Sequence, residues 1–170
     1  MNSKIKEKIN IVREKAKLDD YFDFVIASIG ESGLTDVSDE FSVSKQYSEF
    51  MKECDGAVFG GIYFWSRKKI NELQKRVEWI PGEKEQWIQI GVIGDSPMLI
   101  RKSDGMVYQF FTEPELKNPF FELGQFDDFL DNYVLGEKYL VLFSSAKEDD
   151  EWFQYMMEQW LGGVPCKGLK

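Results

Sequence analysis

Carboxylates are the residues of this chain with the greatest capacity for chemistry: it carries 30 Asp and Glu against 21 Lys and Arg, and no histidine. Without histidine the Ser-His-Asp and Cys-His arrangements are unavailable, as is the commonest general base near neutral pH. Catalysis would fall to carboxylates, Lys or Tyr. Glu113 with Glu115, or Asp127 with Asp128, would be the pairs for a glycosidase-like acid and base, which need to stand roughly 5–10 Å apart in a cleft. Nothing in the sequence selects them. Asp127 and Asp128 fall on the polar face of a helical stretch, and Glu113-Pro114-Glu115 reads as a turn, so solvated roles are expected and no catalytic residue is assigned. Cys54 and Cys166 lack zinc-site spacing, and Cys54 lies on an apolar helical face where it reads as a small buried hydrophobe. No D-x-[DN]-x-[DN]-G loop occurs. Neither metal nor cofactor is expected.

The acids are unevenly placed. Residues 113 to 158 hold 12 acidic and 3 basic side chains, a balance equal to the formal net charge of −9 of the whole chain. Such a surface repels nucleic acid and anionic membranes and attracts basic partners. The expected partner is a protein, bound through Glu113, Glu115, Asp127, Asp128, Asp131, Glu148, Asp149, Asp150 and Glu151 with an exposed aromatic as anchor. The one basic cluster, Arg67, Lys68, Lys69, Lys75 and Arg76 beside Trp65, has a nucleic-acid reading, but most of it falls opposite an apolar stripe, where a solvated helix face is expected. No apolar leader opens the sequence and no run approaches the roughly 20 apolar residues of a membrane span, so a cytoplasmic setting is expected.

The elements that must position these residues follow from periodicity. Ile5, Ile9, Val12 and Ala16 predict an amphipathic helix over 3–17 with Ser3 as its N-cap. From Ser44, Tyr47, Phe50, Met51 and Cys54 share a helical face, and Gly56 suits a left-handed stop. "AVFGGIYFWS" reads as a strand with Gly60-Gly61 at a bulge or close backbone contact, and Ser66 caps a short helix with Ile70, Leu73 and Val77 inward. "WIQIGVIGDSPMLIRKSDGMVYQF" holds three strand-length runs separated by turn signals, an antiparallel meander with Gly91 at a bulge and Gly94-Asp95 at a turn. "QFDDFLDNYVLG" predicts a helix with Asp127, Asp128 and Asp131 outward, and a Met- and aromatic-rich helix spans about 150–161. Residues 18–40 and 137–147 are open between helix and strand. The expectation is one α+β domain over 1–170, an antiparallel or mixed sheet with flanking helices.

This order of motifs resembles the SUKH superfamily. Tyr47, Phe50, Asp55 and Gly56 match its opening helix; Trp87, Ile90, Gly91, Gly94, Asp95, Asp104, Gly105 and Val107 its sheet signature; Phe126, Phe129 and Leu130 its closing helix, so that the match covers about 41–135. Ser42-Val43-Ser44 lacks the usual proline, Asp55 stands for asparagine, and Pro97 stands where a second glycine is common. The resemblance implies that these positions are structural. It also implies a non-enzymatic bacterial immunity protein that neutralises a toxin such as a nuclease or deaminase. The alternative is a regulatory scaffold like the fungal cell-wall glucan-synthesis regulator; a carboxylate-dependent hydrolase is a further one.

Overall fold

The computed structural model describes residues 1–31, 44–113, 116–143 and 150–162. Helix α1 (Ser3–Leu18) leads through a π turn (Phe22–Ile26) into β1 (Ala27–Ile29). Helix α2 (Lys45–Glu53) precedes the hairpin β2 (Ala57–Phe59) and β3 (Ile62–Phe64). Helix α3 (Arg67–Leu73), a 3₁₀ turn (Gln74–Trp79) and the single-turn α4 (Glu83–Gln86) then lead into the sheet's centre. There β4 (Trp87–Ile93), β5 (Ser96–Arg101), β6 (Met106–Phe110) and β7 (Phe120–Gln125) follow one another. Helix α5 (Phe126–Phe129) runs into a π turn (Leu130–Val134), then α6 (Tyr139–Leu142) and α7 (Glu151–Met156) with its π-helical end (Met157–Leu161).

All seven described strands form one sheet in sequence order, every pair antiparallel, so the α+β meander is as expected and its mixed variant is not adopted. Short connections make this order natural, since a chain reversing at each tight turn pairs with its predecessor. The Gly60-Gly61 pair is such a reversal rather than a bulge: Phe59 faces Ile62 across it, and the expected single strand is two. The bulge does fall at Gly91, where the β4–β5 register shifts. A Cβ at Gly91 would stand 1.9 Å from the Tyr63 carbonyl oxygen, so only glycine lets β4 lie this close to β3. Gly94, φ +55°, turns the chain into β5.

One sheet face carries the main core. Phe59, Ile62, Phe64, Ile88, Ile90, Met98, Ile100 and Leu123 meet Ile5, Ile9 and Val12 of α1, Tyr47 and Phe50 of α2, and Phe126 and Phe129 of α5, with Trp152 and Met156 of α7. The Phe64 ring lies at the centre, 4.8 Å from Phe50 and 6.1 Å from each of Phe59, Phe126 and Phe129 between centroids. The other face is smaller: Trp87, Leu99, Tyr108 and Phe110 lie under Val77 and Ile80, and Trp87 stacks on Phe120 at 4.9 Å. Gln74 pins this cover by donating from Nε2 to the Gln89 carbonyl at 2.7 Å.

Several local expectations are corrected. Asn2, not Ser3, caps α1, its side chain accepting from the Ile5 amide at 2.9 Å. Helix α2 ends at Glu53 with Cys54 extended, and Gly56 (φ +91°) makes the later turn into β2. The α5 expectation also shifts, because Asp127 and Asp131 are partly covered by α1 while Asp128 alone of the three stays exposed. Within the two open stretches, the described residues 18–31 form a π turn followed by β1 and the described residues 137–143 contain α6, while 32–40 and 144–147 lie outside the described residues.

Gly91→Ala forces two backbones apart and is expected to cost about 1–3 kcal/mol. Gly94→Ala, whose Cβ would find only the Phe143 ring at 3.7 Å, suffers the left-handed φ alone, about 1 kcal/mol. Urea midpoints check both; equal losses would refute the close-approach account of Gly91.

Candidate functional site

The acidic positions separate into groups with different work. Apolar residues at Phe126, Phe129, Leu130 and Val134 fix the inner face of α5 and its π turn, which sets Asp127 and Asp131 against α1. Asp131 accepts from the Lys8 ammonium at 2.8 Å and has Lys4 at 3.6 Å. Asp127 Oδ2 accepts from the Asn2 amide at 3.1 Å and lies 3.7 Å from the Met1 ammonium, which also pairs with Glu49. Its Oδ1 is buried without a partner. These carboxylates therefore serve a helix seam. Burial pushes the Asp131 carboxyl up, but hydrogen bonding and charge from Lys8, aided by Lys4, outweigh it and hold it below the usual range.

Asp150 is the N-cap of α7, accepting from the Phe153 amide at 2.9 Å and from the Tyr139 hydroxyl at 3.0 Å. Glu151 is exposed, and both its oxygens accept from the Tyr21 hydroxyl at 3.0 Å. Asp128 and Glu113 are exposed, while Glu115, Glu148 and Asp149 lie outside the described residues. The structure thus brings Asp127 and Asp131 together under α1, commits Asp150 to the cap of α7 and to Tyr139, and sets Glu151 beside Tyr21. That second grouping was not legible in the sequence, because Tyr21 sits in the stretch whose periodicity favoured neither helix nor strand.

Most of the resembling motif positions lie in the core, at turns or in local hydrogen bonds, while Asp95 is exposed. Tyr47, Phe50, Ile90, Phe126, Phe129 and Leu130 are core, and Trp87 is buried on the second face, donating from Nε1 to the Pro81 carbonyl at 2.7 Å. Asp55 accepts from the Arg67 amide at 2.6 Å, Asp104 accepts from both Nε and Nη2 of Arg101, and Gly56 and Gly105 adopt positive φ. Arg101 holds the Asp104 carboxyl below its usual range.

Among the described residues, the carboxyls displaced from their ordinary values, Asp19, Glu49, Asp104 and Asp131, are all displaced downward by a neighbouring cation. A general acid at neutral pH needs the opposite displacement. Burial pushes the Cys54 thiol up to about 12, which suppresses the nucleophilic thiolate. No group of three or more His, Cys, Asp or Glu side chains among the described residues is placed to hold a metal ion. Lys68, Lys69, Lys75 and Arg76 are exposed as expected of a solvated face; Trp65, with the Lys69 ammonium 5.5 Å from its ring, is buried and offers no face on which a base could stack. No described helix is long and apolar enough to cross a membrane. Compared with known proteins, the chain matches no family model and no curated protein.

Asp131→Asn leaves Lys8 buried without its counter-charge. Removing one partner of a fully buried pair costs about 3–5 kcal/mol, and about 2 kcal/mol is expected here because Asp131 keeps some water. The folded-state carboxyl is more acidic than the unfolded one, so its contribution is complete at neutral pH and fades as the solution falls below about pH 4. Denaturation of the wild type and of Asp131→Asn should converge there. Lys8→Met with Asp131→Asn should recover most of the loss at pH 7; failure to recover would refute the buried-charge account.

Proposed function

We propose that the chain is a non-enzymatic binding protein of the SUKH type, an immunity protein that occludes a basic toxin domain such as a nuclease. The observation that carries this reading is how the charge is spent. The bases of α1 are engaged within the chain, Lys4 and Lys8 by Asp131, Lys6 by Glu53, Lys15 by Asp19 and Lys17 by Glu14, while Glu113, Asp128 and Glu151 remain exposed. A net −9 surface of this kind has little to offer phosphates and much to offer a protein that binds them, since nucleases must be basic. The downward-shifted carboxyls favour binding over acid-base catalysis. The motif positions lie in a helix-backed antiparallel meander of the kind the resemblance implies.

The test is affinity capture from lysate of the cells that make the protein, at low and moderate salt, with mass spectrometry of the bound fraction. The expected outcome is a basic toxin domain whose retention falls as salt rises, and whose activity is suppressed by the purified chain. Capture of regulatory housekeeping proteins alone would favour the scaffold alternative and overturn the immunity reading.

A further inference from the structure

Among the described residues, the end of α1 and its link into β1 gather four exposed large hydrophobics within eight positions. Leu18 is 86% exposed and Phe24 91%, with Tyr21 at 56% and Val25 at 49%. The turn is nevertheless well anchored. Phe22 is buried against Tyr155 at 4.7 Å, and Asp19 accepts from the Phe22 amide at 3.1 Å while pairing with Lys15. One aromatic thus fixes the loop, and its neighbours are held out by geometry rather than left loose. Contiguous apolar exposure of this kind marks a contact surface, whereas single exposed residues such as Ile11 do not.

The rim supplies the partner's chemistry. Asp20 and Asp23 are exposed and, among the described residues, form no ion pair; Glu151 closes the rim through Tyr21. The bases at the end of α1 have other partners: Lys15 pairs with Asp19, Lys17 with Glu14, and Arg13 donates to the Glu53 carbonyl and Asn10, although Arg13 and Lys17 share a cavity of about 400 Å³ with Asp23. A second copy of the chain fits poorly, because a two-fold contact would set carboxylate rim against carboxylate rim. Resting on the binding reading above, we infer that the turn at 18–25 is the docking surface, and that Phe24 enters an apolar pocket on the partner protein ringed by Lys and Arg.

The experiment replaces Phe24, and in a separate protein Asp128, with the photoreactive p-benzoylphenylalanine, illuminates the producing cells and identifies adducts by mass spectrometry. An adduct from position 24 to a basic protein is expected. Against that purified partner, Phe24→Ala should weaken affinity at least about tenfold. Asp20→Asn with Asp23→Asn should flatten its salt dependence, and Asp128→Asn should change affinity less than about twofold. An adduct to a second copy, or to residues 163–170 of the same chain, would overturn the inference. Crosslinking from position 128 only would move the surface to α5 and leave the proposed function standing. No adduct at either position, with no salt-dependent partner captured, would sink both.

Discussion

A lysine cannot be buried without compensation, and the helical layer is arranged around one. Lys8 is 6% exposed; its ammonium donates to Asp131 and to the Leu135 carbonyl and lies 5.6 Å from the Trp160 ring. Those partners come from the π turn after α5 and from the end of α7, so one side chain of the first helix requires elements more than 120 residues later to be in place. Trp160 Nε1 donates to the same Leu135 carbonyl at 2.8 Å, closing the group. A half-formed version of such a cluster would strand a cation in low dielectric, which makes the seam cooperative.

That constraint redistributes the chain's charge. A count along the sequence places the acidic excess between 113 and 158, but α1 is basic and lies directly over part of it. Asp127 and Asp131 are therefore largely cancelled before any outside molecule arrives. What acts at a distance is the residue left over after internal pairing, and within a Debye length of about 10 Å only unpaired, exposed carboxylates contribute strongly. Formal charge density alone thus points to α5, whereas internal pairing leaves exposed carboxylates outside the described ion pairs at positions such as Asp20, Asp23 and Glu151.

Much of the fold is legible in the sequence wherever one periodicity dominates. The 3.6-residue stripes of α1, α2 and α5 and the turn signals at Gly94-Asp95 and Asp104-Gly105 specify elements that the structure contains. The limits of reading are equally physical. Strand β7 was hidden because Phe120, Phe121 and Leu123 face different surroundings across a register shift, which spoils strict alternation. The β2–β3 hairpin was hidden because three-residue strands give periodicity too little length to show itself. Pairing between distant charges, which decides which acids are free, has no local signature at all.

The segment at 18–25 departs from both periodicities for an intelligible reason. A sequence that only had to fold would place polar residues at Leu18 and Phe24, since neither side chain gains burial. Phe22 seats the turn against Tyr155 of α7. The remaining apolar residues are supernumerary to the core, and Asp20 and Asp23 among them are supernumerary to the ion pairs. Where residues satisfy neither packing nor internal charge balance yet stand on a firmly seated backbone, departure from the folding rules is itself the signal of an external contact.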